Sequence, residues 1–128
     1  MSNVDKYPKE SRYYHFRIND LSDEQLNYIK SCQQLEWAVI GVVENDEAAK
    51  GRHYHVAIKF NHAVAPSAAL KRLLYNSKLH TSQYYCKPKL KVSSVEQFIK
   101  YCIKNGVREI IGDEPIISEQ AQAPTLNE

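Results

Sequence analysis

The sequence has 128 residues and a formal net charge of +2, with 43% hydrophobic and 25% charged residues. This length suits one domain with a sizeable core, and the composition is that of a globular chain rather than a disordered or fibrous one. The small positive charge permits a nucleic-acid partner without requiring one.

The N-terminal part of the chain predicts a strand followed by a helix. Residues 12–19 alternate between apolar and polar side chains, as expected for a strand with one buried face. Ser22 is a suitable N-cap for a short amphipathic helix that continues to about Cys32.

A β-hairpin is predicted next. Residues 36–44 are almost continuously apolar, which favours a central strand buried on much of both faces. Residues 45–52 form a polar turn, and residues 53–60 again alternate between two faces.

The next segment predicts a helix and an edge strand. Pro66 suits the first turn of a helix that continues to about Tyr75. Residues 83–90 resemble a strand, and Pro88 favours an edge position because proline cannot donate a ladder hydrogen bond.

The last predicted helix begins after Ser93 or Ser94 and ends at Gly106. Its apolar residues have helical spacing: Val95, Phe98, Ile99, Cys102 and Ile103. Residues 107–111 predict a short strand, and residues 113–128 form a polar tail that resembles a linker.

This order of elements predicts an α+β fold, a five-stranded antiparallel sheet with flanking helices that we expect on one face. The predicted domain covers residues 1–112.

Three cysteines without CxxC spacing favour buried or half-buried thiols over a disulfide framework or a zinc site. No apolar run reaches membrane-spanning length and no apolar signal region is present, which predicts an intracellular protein.

The segment His53-Tyr54-His55 is a candidate metal site. Residues two apart on a strand share a face, with side chains about 7 Å apart at their bases, so both imidazoles can contact one ion. In the predicted hairpin Glu44 lies opposite His53 and adds a carboxylate. Two imidazoles and a carboxylate suit a divalent ion that also binds phosphate, whereas His-x-His alone is also compatible with two incidental surface histidines.

Two further pairs of residues each share one face of a predicted element and carry side chains that can take part in a reaction or bind a ligand. Tyr101 and Lys104 are three apart on the last predicted helix and lie outside its apolar face. His15 and Arg17 point away from the core face of the first strand. Taken separately, each group is equally compatible with an ordinary solvated surface.

Together these motifs resemble the HUH endonuclease domain of replication-initiator (Rep) proteins from circular single-stranded DNA viruses. The resemblance covers about residues 12–112 and has three motifs in the expected order. They are Phe16-Arg17-Ile18-Asn19-Asp20, then His53-Tyr54-His55 with Glu44 upstream, then Tyr101-Cys102-Ile103-Lys104. Asn105 departs from relatives, in which the position after the lysine is often acidic.

The resemblance implies a sequence-specific nickase and strand-joining enzyme that initiates rolling-circle replication. It implies Mg²⁺ or Mn²⁺ bound by Glu44, His53 and His55, with Tyr101 as the nucleophile and Lys104 as a catalytic cation. The implied partner is single-stranded DNA at a replication origin. Residues expected to contact this DNA are His15, Arg17, Asn19, Arg52, Lys59, Lys87, Lys89 and Lys91, with Tyr13, Tyr84 and Tyr85 as candidate stacking residues.

Relatives usually continue into a helicase domain, and no GxxxxGK loop occurs in this sequence. We therefore expect the chain to be the N-terminal domain of a longer, oligomeric protein, in the host nucleus if the virus infects a eukaryote. Two alternatives stay open. One is a non-catalytic single-stranded nucleic-acid-binding module like an RNA-recognition fold. The other is a non-catalytic metal-binding domain.

Overall fold

The computed structural model describes residues 6–19, 21–42, 44–46, 51–76, 78–79 and 81–113, with 44–46, 51–52 and 81 as backbone alone. The strands are β1 (Ser11–Asn19), β2 (Leu35–Gly41), β3 (Glu44–Asp46), β4 (Gly51–Val64), β5 (Tyr84–Pro88) and β6 (Val107–Gly112). The helices are α1 (Asp23–Lys30), α2 (Pro66–Leu73) and α3 (Val95–Cys102), with a 3-10 turn at Thr81–Gln83. The predicted tail lies outside the described residues beyond Asp113.

Five strands form one antiparallel sheet in the order β5-β1-β4-β2-β6, and β3 pairs with β4 beside this path. The predicted α+β class with a five-stranded antiparallel sheet is therefore confirmed. The long strand β4 lies in the middle, and β1 lies directly beside it with Arg17 opposite His55 and Asn19 opposite His53. This arrangement brings the first and second sequence motifs together.

The helices cover both faces of the sheet, so the expectation that they share one face was wrong. Helices α1 and α2 cover one face, where their residues Ile29 and Leu73 join a large core with Phe16 and Ile58. Helix α3 covers the other face. There its apolar side forms a second core cluster together with residues of the sheet. The cluster consists of Trp37, Val39, Ala57, Phe98, Ile99, Cys102 and Ile103. Strand β2 is apolar on both faces, with Ala38 and Ile40 in the first cluster and Trp37 and Val39 in the second, so both faces of the sheet need a covering layer.

The helix starts agree with the sequence signals. Ser22 accepts a hydrogen bond from the Gln25 backbone at 3.1 Å. Ser94 forms a capping box with Gln97, and Pro66 opens α2. These caps set where α1 and α3 begin.

Three predicted boundaries were wrong. Strand β4 spans Gly51–Val64 rather than residues 53–60. The apolar run at 36–44 is not one strand, since β2 ends at Gly41 and β3 begins at Glu44. Helix α3 ends at Cys102 rather than at Gly106. Gly106 has a φ of +110° and donates from its backbone N to Ile103 O at 2.7 Å, so it closes the turn that follows the helix.

The cysteines are buried or half-buried thiols, as predicted. Burial raises the pKa of Cys86 and of Cys102 to about 12, so both remain protonated at pH 8. Since the thiolate is the nucleophile, we expect iodoacetamide at pH 8 to modify Cys32 first. Cys86 and Cys102 should react only after unfolding in urea, as measured by mass spectrometry of native and unfolded samples. Modification of Cys102 in the native protein would contradict this packing of α3.

Candidate active site

Strand β4 carries the two histidines of the central motif. Their rings lie on the face that α3 covers, because the intervening Tyr54 belongs to the core on the opposite face. Both are almost buried, with 6% of His53 and 6% of His55 exposed. Their ring centres are 5.3 Å apart and the ring planes are nearly perpendicular, at 86°.

The separation of these rings fits shared binding of one metal ion. Two imidazoles on one ion, at nitrogen–metal distances of about 2.1 Å, have ring centres about 5 Å apart. Glu44 pairs with His53 in the β3–β4 ladder, and Asn19 pairs with His53 from the other side. The Glu44 side chain lies outside the described part of the structure. Among the described side chains, no three His, Cys, Asp or Glu form a group that could hold a metal.

His15 reaches from β1 to His55. Its Nε2 lies 2.7 Å from Nδ1 of His55, and the Tyr85 hydroxyl lies 3.3 Å from Nδ1 of His15. Burial lowers the pKa of His15 to about 3, and His55 and nearby cations act in the same direction. His15 is therefore a neutral imidazole at physiological pH, which distinguishes it from a solvated surface histidine.

Helix α3 presents Tyr101 to these histidines. The Tyr101 side chain is 51% exposed, and its ring centre lies 5.7 Å from that of His55 and 5.5 Å from that of His15. The next residue, Cys102, is buried against the sheet and fixes the rotation of the helix. A half-exposed phenol therefore lies directly beside the histidine pair.

The end of α3 is held by an unusually close approach to β2. A side chain at Gly41 would overlap the backbone carbonyl oxygen of Cys102, so only glycine allows this contact. Val42 also donates a backbone hydrogen bond to Gly106 O at 2.9 Å. These two backbone contacts determine how far Tyr101 lies from the sheet.

Lys104 lies in the turn after α3 rather than on the helix itself. Its Nζ is nevertheless 4.9 Å from the centre of the Tyr101 ring, so the predicted proximity of the two residues is confirmed. The turn keeps Lys104 near Tyr101 although the helix has ended.

Two other cations lie near the phenol and the histidines. The Arg17 guanidinium lies 5.1 Å and the Lys87 ammonium 5.2 Å from the centre of the Tyr85 ring. Together with Lys104, both lower the pKa of His15, which shows that their positive charges act at this point. Nε of Arg17 is buried without a hydrogen-bond partner in the described part of the chain. Arg17, Lys87 and Lys104 therefore place positive charge around His15, as suits a phosphate-binding site.

Other residues expected to contact DNA lie apart from this group or have other contacts. Lys59 forms a 2.9 Å ion pair with Glu36 and lies 5.7 Å from the Tyr13 ring centre. Lys89 lines the cleft beside Tyr101 and His15, and its Nζ donates to the backbone oxygens of Leu90 and Ser93 at 3.0 and 2.5 Å.

Three more residues that were predicted to contact DNA or to stack on its bases, Lys91, Tyr13 and Tyr84, have other contacts. Lys91 is exposed in a turn and donates its backbone N–H to Lys6 O at 3.0 Å. The side chain of Arg52 is not among those described. Tyr13 packs against the second core cluster and Tyr84 against the first. Tyr85 is therefore the predicted stacking residue that lies at the site.

A cleft of about 390 Å³ opens beside Tyr101 and His15. Its lining includes Tyr7, Tyr85 and Lys87. A second cleft of about 440 Å³ lies between α1 and α2, on the other face of the sheet, and contains none of the site residues. The cleft beside Tyr101 is the one that a substrate of this site would enter.

Sequence reasoning missed three contributions: the contact of His15 with His55, the proximity of Tyr85, and the role of Gly41. A glycine at the end of an apolar strand was a signal for close backbone approach. No local signal indicated that β1 pairs with both β4 and β5.

The charge of Lys104 leads to a testable expectation. Lys104→Met should lower the rate of any reaction in which Tyr101 acts as an anion by about tenfold, because a positive charge near the ring is lost. Larger losses are typical of buried electrostatic groups, and solvent screens this half-exposed site. The measurement is the initial rate of attack by Tyr101, with Lys100→Met as the matched control on the exposed side of α3. Equal rates for both variants would contradict this role.

No model of a known protein family matches the chain, and no curated protein is significantly similar to it in sequence. Within the described part of the chain, no helix is sufficiently long and apolar to cross a bilayer.

Proposed function

We propose that the protein is a metal-dependent endonuclease that cuts single-stranded DNA and remains joined to the new 5′ end through Tyr101. The observation that carries this proposal is the half-exposed phenol of Tyr101 beside the buried pair His53 and His55. A tyrosine, two imidazoles that fit one ion and several cations suit attack on a phosphodiester. The order of the three motifs supports the same proposal.

In the proposed reaction Tyr101 is the nucleophile. The Tyr101 oxygen attacks phosphorus and forms a new P–O bond, while the bond from phosphorus to the 3′ oxygen breaks. The 3′ oxygen leaves and takes up a proton, and the phenol proton passes to water because Tyr101 is half exposed. The phosphotyrosine preserves the energy of the broken bond, so a 3′ hydroxyl can reverse the reaction and rejoin the strand.

The divalent ion, Mg²⁺ or Mn²⁺, would be held by Glu44, His53 and His55, and would neutralise charge that develops on the scissile phosphate. Glu44 is assigned because its backbone pairs with His53. His53 and His55 share one face because side chains alternate along β4, which is paired with β1 at both positions. Arg17 and Lys104 add fixed positive charge for the phosphate.

The substrate is proposed to be single-stranded or melted DNA at a replication origin. The cleft beside Tyr101 has the size of a small-ligand site and combines the aromatic rings of Tyr7 and Tyr85 with the charge of Lys87. Stacking on aromatic rings together with cations along the backbone is the usual way to hold an unpaired strand.

The test is a denaturing gel with labelled origin-like single strands and Mn²⁺. We expect a labelled band at the mass of the protein plus the 3′ fragment of the strand, which disappears with EDTA. If no covalent band forms with any of many strand sequences, with either metal, the proposal is wrong. Metal-independent binding without a covalent band would instead favour the non-catalytic binding module.

A further inference from the structure

His15 is enclosed between a proposed metal ligand and a tyrosine. We propose that His15 positions His55: its Nε2 accepts a hydrogen bond from the Nδ1–H of His55 and thereby holds His55 in the tautomer that binds a divalent ion through Nε2. This inference rests on the proposed function, since it concerns one of the ligands assigned there. It gives His15 a role distinct from the DNA contact expected from the sequence.

The contact itself requires a defined proton arrangement. The two nitrogens are 2.7 Å apart and the ring planes are inclined by 37°, so one nitrogen carries the shared proton and the other accepts it. An imidazole that binds a metal through one nitrogen carries its proton on the other. His55 is therefore the donor in this pair and His15 the acceptor.

Tyr85 also packs against His15. Its ring meets the His15 ring edge-on at 83°, with the centres 5.0 Å apart. The Tyr85 hydroxyl lies 3.3 Å from Nδ1 and 3.5 Å from Nε2 of His15, so it contacts the ring edge between the two nitrogens. His15 thus packs against both His55 and Tyr85, which restrict its orientation.

The choice of acceptor has a chemical consequence. Metal-binding histidines usually donate to a carboxylate, a backbone carbonyl or water. A neutral imidazole orients the ligand but adds no negative charge behind it. Because His15 is neutral, it does not offset the positive charges of Arg17, Lys87 and Lys104 around it. These charges remain available to the phosphate.

The test measures metal binding without DNA. Mn²⁺ is titrated into the protein and the unbound ion is measured by electron paramagnetic resonance. We expect His15→Phe to weaken binding about 10- to 100-fold, as is typical when a supporting contact is lost. His15→Gln, which keeps a polar acceptor at a similar reach, should remain within about threefold of wild type.

His62→Phe is the matched control, because His62 lies on the same strand as His55 but contacts Asn61 and Arg72 instead. It should bind Mn²⁺ like wild type. Equal weakening by Phe and Gln at position 15 would show that a hydrogen-bond acceptor there is not what supports metal binding, and wild-type affinity in His15→Phe, whose ring fills the same space, would also overturn the proposal. Thermal unfolding checks that each variant is folded.

A spectroscopic measurement reports the tautomer directly. In the metal-free protein, ¹⁵N nuclear magnetic resonance should show His55 protonated at Nδ1 in the wild type and a mixture of tautomers in His15→Phe. A single Nδ1–H tautomer in both proteins would overturn the inference.

The proposed function and the role of His15 can fail separately. If wild type binds Mn²⁺ and His15→Phe weakens that binding, but no DNA adduct forms, the proposed function is wrong while the role of His15 stands. If the adduct forms normally and His15→Phe leaves the Mn²⁺ affinity unchanged, the proposed function stands and the role of His15 is wrong.

Discussion

Replacing Tyr101 with phenylalanine should abolish the covalent protein–DNA adduct and lower strand cleavage at least about 10⁴-fold. Removal of a nucleophile eliminates the covalent pathway, and the groups that remain can only assist a slow attack by water. The phenyl ring keeps its place beside His15 and His55, so the fold and metal binding should be unaffected. The measurement is the initial rate of adduct formation on a denaturing gel, with metal affinity determined in parallel.

Tyr85→Phe is the matched control, because Tyr85 is the second phenol at the site. Burial raises the pKa of Tyr85 to about 12, so it holds its proton and is the poorer nucleophile. We expect this variant to form the adduct within about tenfold of the wild-type rate, and mass spectrometry to locate the nucleotide on Tyr101. An adduct that persists in Tyr101→Phe, or vanishes equally in Tyr85→Phe, would assign the chemistry to a different residue.

The sequence predicted the parts of the site that depend on local periodicity. Because strand side chains alternate, His53 and His55 had to share a face, and the core residues around them had to face the other way. The proximity of Lys104 to Tyr101 followed from their spacing, although the helix ends between them. These features need no knowledge of how distant segments meet.

The remaining features depend on contacts between distant segments. The apolar pattern of α3 shows that it buries one side, but not which face of the sheet it covers. The pairing of β1 with β4 brings His15 to His55, across 40 positions of the chain. Strand order is set by the combined packing of all elements, and no single segment encodes it.

Gly41 shows how such a distant contact controls the site, and Gly41→Ala should affect both stability and activity. The added methyl group meets the backbone oxygen of Cys102, which cannot rotate away as a side chain can. We expect a loss of about 1–3 kcal/mol in the free energy of unfolding, as is typical of overpacking. The end of α3 must also move away from β2 and carry Tyr101 with it. Since a displacement of about 1 Å can cost about 100-fold in rate, adduct formation should fall by about that factor.

Leu73→Ala separates displacement of Tyr101 from general destabilisation. Leu73, the last residue of α2, is fully buried in the core cluster on the face of the sheet opposite α3. Its truncation should cost about 2–5 kcal/mol, at least as much as Gly41→Ala. Urea unfolding gives both free energies, and adduct rates are compared at a temperature at which both variants are folded. Under those conditions Leu73→Ala should retain nearly wild-type activity while Gly41→Ala does not. Equal rates in the two variants would mean that the approach of β2 to Cys102 supports only the fold, because the position of α3 would then have no separate effect on Tyr101.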